Sequence, residues 1–154
     1  MLGLDPGTRV TGWGLLEGDT RRVVSVEFGR LIPRRTLARP AALATLTEQL
    51  EELLARLAPD VVVIETPFTG RFPKAALALA ETRGALLVAL GRWGGEVVAI
   101  EPARMKAMVV GHGRAEKRQV SYVVRHALSL SEEPPADAAD AIALALCHLR
   151  SVLP

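Results

Sequence analysis

Four β-branched residues in a row, Val61-Val62-Val63-Ile64, constrain this chain more than any other feature. Such a run suits a strand covered on both faces and resists the solvent-facing alternation of an open antiparallel sheet. Its flanks agree. Upstream, Leu43, Leu46, Leu50, Leu53, Leu54 and Leu57 fall on one helical face, with Glu48, Glu51, Glu52 and Arg56 on the rest, and Pro59 ends the helix. Downstream, a loop from Pro67 to Pro73 leads to a second helix, Ala75 to Leu90, whose residues are nearly apolar all round. A helix of that kind is expected to be buried, in the core or against another subunit. Before Leu43 the period is that of strands. Met1 to Leu4, Val10 to Leu16 and Val23 to Gly29 are separated by Asp5-Pro6-Gly7 and by a hairpin-like break at Glu17-Gly18-Asp19, and a basic loop, Pro33 to Pro40, follows. The remainder predicts a strand at Val97 to Ile100 and helices at Ala103 to Val109, Ala115 to Leu128 and Asp137 to Leu149. Strands first, then strands alternating with helices, imply an α/β domain: a mixed central sheet flanked by helices on both faces.

The chain's 154 residues suit one domain with a substantial core. The single cysteine, Cys147, excludes an internal disulfide framework and the usual structural zinc sets, and is expected to be a small buried hydrophobe. No basic segment followed by an apolar run opens the sequence, and no run of about 18 uncharged apolar residues occurs. A soluble, cytoplasmic protein is the expectation. Net charge is only +2, but the 19 Lys and Arg residues are unevenly spread. Arg104, Lys106, Arg114, Lys117, Arg118 and Arg125 form one group, and Arg30, Arg34, Arg35 and Arg39 another. Groups like these suit a polyanion; ordinary solvated surface charge is the plainer reading.

Four carboxylates stand where carboxylates are costly. Asp5 ends the first strand and Glu65 ends the Val61–Ile64 strand. If these strands are parallel neighbours, both acids emerge at one edge of the sheet. Asp137 and Asp140, three residues apart, share one face of the last helix. Clustered, the four would repel unless a cation neutralised them, and all-oxygen donors suit Mg²⁺ or Mn²⁺. Two such ions, about 4 Å apart, can activate a water and stabilise the leaving oxygen of a phosphodiester. Each acid also has a structural explanation: Asp5-Pro6-Gly7 suits a type II turn, and Asp137 suits a helix N-cap.

Taken together, four segments resemble the signatures of the RuvC Holliday-junction resolvases. They are Leu4-Asp5-Pro6-Gly7-Thr8-Arg9-Val10-Thr11-Gly12-Trp13-Gly14, Ile64-Glu65-Thr66-Pro67-Phe68, Val109-Val110-Gly111-His112-Gly113-Arg114-Ala115-Glu116-Lys117 and Ala136-Asp137-Ala138-Ala139-Asp140-Ala141. They occur in family order from residue 4 to about residue 149. The resemblance implies a ribonuclease-H-like fold over residues 1–154 and a homodimer whose two active sites face one four-way DNA junction. Its implied metal and catalytic ligands are Asp5, Glu65, Asp137 and Asp140, holding two Mg²⁺ ions for which Mn²⁺ substitutes. It implies symmetric nicks with 5′-phosphate and 3′-hydroxyl ends, serving recombination and repair. Phe68 would stack near the crossover, and Lys106 and Lys117 would contact phosphate; Arg71, Lys74, Arg114 and Arg118 complete the expected DNA-binding set. The RuvA–RuvB branch-migration complex is the implied partner. The residues add that Phe68 either stacks on bases or packs into the core with Phe72, and that Lys117 stands at a helix start whose amides favour anions. Relatives usually carry a polar residue where Phe72 stands. The rival readings are another ribonuclease-H-like nuclease and a non-catalytic junction- or nucleotide-binding module.

Overall fold

The structure is a computed structural model and describes residues 1–18, 22–66 and 73–151. Five strands form one sheet: β1 (Leu2–Asp5), β2 (Thr11–Gly18), β3 (Val23–Leu31), β4 (Val61–Glu65) and β5 (Glu96–Ile100). Their order is β3-β2-β1-β4-β5. The first three strands pair antiparallel, while β4 runs parallel to both β1 and β5. The sheet is therefore mixed, and the β-branched strand β4 lies inside it.

Helices cover both faces. On one side lie α1 (Arg39–Leu57) and α2 (Pro73–Trp93); on the other, α3 (Pro102–Val110), α4 (Lys117–Ala127) and α5 (Ala136–Ser151). Strand alternation divides the core between them. Leu2, Leu4, Trp13, Leu15, Val62 and Ile64 meet Leu46, Leu50 and Leu86 on the α1–α2 side. Val63 and Ile100 meet Met105, Val120, Ile142 and Leu146 on the α5 side. Truncating a fully buried member such as Leu50 to alanine costs about 2–5 kcal/mol.

Boundaries shift where proline chemistry allows. The basic loop ends earlier than its composition suggests, because α1 starts at Arg39 and takes Pro40 into its first turn. There the missing N–H of proline has no helical partner to lose. The Asp5-Pro6-Gly7 segment is not a type II turn: among the described glycines only Gly18, Gly94 and Gly111 take positive φ. Gly7 is instead required by crowding, since a Cβ there would overlap the carbonyl oxygen of Val10. Simple core burial does not hold for all of α2. Although apolar in composition, it buries only one face, and Leu77 (64 % exposed) and Val88 (53 %) point to solvent. Cys147 is buried as composition suggests, its thiol 3.6 Å from the sulfur of Met108. No helix among the described residues is long and apolar enough to cross a membrane.

Candidate active site

Asp5 and Glu65 are level with one another because β1 and β4 are parallel and in register from Leu2↔Val62 to Leu4↔Ile64. Leu4 and Ile64 face α1 and α2, so the next residue on each strand turns toward α5. The same alternation places Gly3, Gly12 and Gly14 under α5, where a Cβ would overlap the Ala141 carbonyl, the Asp137 carbonyl and Ile142 respectively. Only glycine permits this approach. Because Gly12 is paired with Asp5, contact between Gly12 and the Asp137 backbone sets the N-terminal end of α5 over the acid-bearing edge.

The hydrogen bond from Ala139 N–H to the Pro135 carbonyl, 2.8 Å, puts Asp137 inside the first turn of α5 and not at its cap. Its carboxylate there is favoured by the helix dipole. Asp140, one turn on, is 6 % exposed. Its Oδ2 accepts an ion pair from Lys117 Nζ at 2.9 Å, and its Oδ1 is buried without a hydrogen-bond donor among the described residues. An orphaned carboxylate oxygen beside other acids is poorly satisfied by protein alone.

The acids sense each other. Burial, then the charges of Glu65 and Asp140, push the Asp5 carboxyl up to about 7. Burial and Asp140 likewise raise Glu65 to about 7, with Lys117 and Lys106 pulling against the shift. Burial works against the Lys117 ammonium, but the bond to Asp140 and the surrounding acids outweigh it and hold its pKa above the ordinary lysine value. Among the described residues no three carboxylates meet as a preformed metal cage, and Lys117 stands among the acids as a counterion. The donor set nonetheless fits hard divalent cations, being all carboxylate, partly dehydrated and carrying one unsatisfied oxygen.

Of the expected DNA-contacting residues, Lys106 and Lys117 stand within the field of these acids. Arg114 lies exposed in the segment between α3 and α4, and Lys74 lies exposed in the first turn of α2. Arg118 lines a different groove, with Glu116, Tyr122 and Glu133. Phe68, Arg71 and Phe72 fall outside the described residues. The start of α4 is not an open anion site, for the Glu116 N–H donates to Gln119 Oε1 at 2.8 Å in a capping box. One supporting residue escapes a reading of the sequence. Arg83 Nε donates to the Glu65 carbonyl at 3.1 Å, pinning the end of β4 from α2. Nothing in the spacing between Glu65 and Arg83 announces that contact.

The chain is similar to known proteins along nearly its whole length. Residues 1–148 match the family model "Crossover junction endodeoxyribonuclease RuvC". Proteins of that name from Alkalilimnicola ehrlichii and Syntrophomonas wolfei subsp. wolfei are 43% and 39% identical, over 97% and 98% of this chain and 90% and 88% of theirs. The structure of T. thermophilus RuvC in complex with Holliday junction substrate superposes with a TM-score of 0.84 at 30% identity, covering 97% of this chain and 92% of that one. The yeast mitochondrial Holliday junction resolvase Ydc2, at 14% identity and a TM-score of 0.66, shares the fold.

Proposed function

The chain belongs to the RuvC family of crossover junction endodeoxyribonucleases, and on that premise we propose how its residues perform junction cleavage. It is a ribonuclease-H-like nuclease that resolves Holliday junctions. Asp5, Glu65, Asp137 and Asp140 are its catalytic and metal-binding residues. The observation that carries this reading is the shared level of Asp5 and Glu65 beneath the N-terminal turn of α5, where burial and like charge raise both to about 7.

Two Mg²⁺ ions, or Mn²⁺ in their place, supply activation of a water and neutralisation of the leaving oxygen when bound by these carboxylates. The chain's own groups do the rest. Lys117 holds Asp140 through Oδ2 and leaves Oδ1 without a partner among the described residues. Lys106 and Lys117 bring positive charge to the approach of the substrate phosphate. Arg83 fixes the backbone that carries Glu65. The close contact of α5 with Gly12 keeps the two halves of the acid cluster from separating.

The working unit is a homodimer, giving two like sites for symmetric nicks with 5′-phosphate and 3′-hydroxyl ends. Its interface is the uncovered face of α2, where Leu77, Ala80, Gly84, Val88 and Gly91 recur at three- and four-residue spacing and are exposed. Phe68 stacks at the junction centre, Arg71, Lys74, Arg114 and Arg118 contact backbone, and RuvA–RuvB delivers the substrate in the cytoplasm. The test is a synthetic four-way junction with Mg²⁺. Asp5→Asn is expected to abolish cleavage yet bind the junction as wild type does, since one ligand charge is lost and the basic surface is kept. Cleavage by Asp5→Asn at the wild-type rate would overturn the site assignment.

A further inference from the structure

A second basic site lies on the opposite face of the sheet from the acids. A cleft of about 520 Å³ opens between the start of β2, the end of β3 and the first turn of α1. Arg9, Arg30, Arg34 and Arg35 line it, all exposed, and among the described residues no acidic side chain does. Among the described residues none of these four arginines forms an ion pair, unlike Arg39, Arg56 and Arg92. Arg39 also borders the cleft but is committed. Its Nε binds Glu81 at 2.8 Å, one Nη donates to the Thr8 carbonyl at 3.1 Å, and the other donates to Thr82 Oγ1 at 2.9 Å. It braces the wall and leaves the other four free of acidic partners among the described residues.

Two further features point to an anion. Helix α1 begins at this cleft with Ala38 at its N-cap, no side-chain cap and no acid in its first turn, so its positive end is uncompensated. Thr11, 0% exposed, lines the same cleft, and its Oγ1 has no hydrogen-bond partner among the described residues. A buried hydroxyl left without a partner is uncommon and costly, which marks a group that a ligand satisfies. Position then selects the ligand. Thr11 is the neighbour of Gly12, which pairs with Asp5, so the cleft and the acid cluster lie at one edge of the sheet on opposite faces.

We propose that this cleft receives a non-scissile backbone phosphodiester of substrate DNA, bound by Arg30, Arg34 and Arg35, the α1 N-terminus and the Thr11 hydroxyl. The proposal rests on the nuclease reading, and it makes the cleft a positioning site: a duplex arm gripped at one face of the edge presents a neighbouring phosphate to the acids at the other.

Junction binding is measured by fluorescence anisotropy in EDTA across a salt series, so catalysis does not enter. Arg30→Ala/Arg34→Ala/Arg35→Ala is expected to bind about tenfold or more weakly at physiological salt. It should also flatten the slope of log K against log salt by about 0.9, the value for the one phosphate no longer neutralised. Thr11→Val, of nearly the same shape, is expected to weaken binding about tenfold by removing a hydrogen bond to a charged group, with Thr11→Ser restoring it and with melting of the DNA-free protein not lowered. A wild-type slope in the triple variant overturns the proposal. So does an equal loss in Arg56→Ala/Arg92→Ala/Arg150→Ala, which would mean net charge alone is sensed. Unaltered binding by Thr11→Val removes the cleft interior from the contact and overturns it as well. Inorganic phosphate titrated alone distinguishes a free ion: saturation of the cleft below about millimolar, without competition from junction DNA, assigns it to a small anion instead of a DNA arm. Failure of wild-type cleavage would strike the nuclease reading and leave these binding outcomes readable.

Discussion

Helices α2 and α5 are both rich in alanine and leucine, yet they end in opposite environments. From Ala138 to Cys147 every residue of α5 is buried, whereas α2 leaves Leu77 and Val88 more than half exposed. The difference lies in what faces them. Beneath α5 the sheet presents Gly3, Gly12 and Gly14, and the helix backbone settles onto the strands. α2 instead packs beside α1 and touches the sheet-side core through Leu86, Ala89 and Leu90. At its own glycines, Gly84 and Gly91, an added Cβ would meet no atom within 4 Å. Small residues thus do different jobs: under α5 they permit contact already made, and on α2 they leave room for contact with another molecule.

The sharpest test of that contrast is Gly3→Val. Overpacking typically costs about 1–3 kcal/mol, and here the collision is with the rigid Ala141 backbone, so a loss of at least about 3 kcal/mol is expected. For a chain of this size that is roughly 6–12 °C in melting temperature. A shift within about 2 °C, followed by circular dichroism, would show that α5 can lift off the sheet.

On α2 the effect should fall on association. Leu77→Glu/Val88→Glu places two charges on the open face and is expected to convert a species of twice 16.5 kDa into one of 16.5 kDa in sedimentation at micromolar concentration. The isolated subunit should stay folded, because neither side chain is buried in it. A wild-type protein that sediments as a monomer with and without junction DNA would remove the interface.

The charged end of α5 gives a smaller, pH-dependent effect. Asp5 and Glu65 rise from 3.8 and 4.5 to about 7 in the folded chain, which therefore holds their protons more tightly than the unfolded chain does. Stability from this source is complete below about pH 4 and is lost as pH rises through about 7. Without divalent cations, melting temperature should therefore decline from about pH 5 to pH 8 through these groups. Mg²⁺ should raise it more at about pH 8, where the carboxylates are ionised, than at pH 5. Equal increments at the two pH values would mean that these acids do not bind the ion.

The smallest effect is expected for Gly84→Ala. With open space at this helical position, alanine should stabilise the subunit by about 0.4–1 kcal/mol by restricting the unfolded chain. Chemical denaturation at low protein concentration measures this. Destabilisation instead would place Gly84 in a contact already made within the subunit.

Much of this arrangement is legible in the sequence, for specific reasons. The Val61–Ile64 run has no alternation, and that alone predicts an interior strand, which β4 is. Asp5 and Glu65 stand out because carboxylates directly follow apolar strand residues. The uniform composition of α2 misleads, since it reports a preference for burial without saying whether this subunit or another provides the cover. Proline at position 40 resembles a loop residue because a sequence does not distinguish a first helical turn from a bend. The arginines of the second cleft are visible as a group, but not their separation into one braced by Glu81 and others without ion pairs.

Local matters are written in the chain itself: which segments are strands or helices, which residues must leave water, which acids stand at strand ends, and the family these signatures share. Those properties follow from side-chain periodicity and composition, which act over a few residues. Long-range placement belongs to the folded molecule. That Asp5 and Glu65 lie level, that Lys117 reaches Asp140 at 2.9 Å, that Arg83 holds Glu65, and that Thr11 is buried in an arginine-lined cleft are all facts of this kind. They depend on strand register and on how closely a helix can approach a sheet. Register is fixed by the mutual fit of both faces of the core at once, and no single segment contains that information.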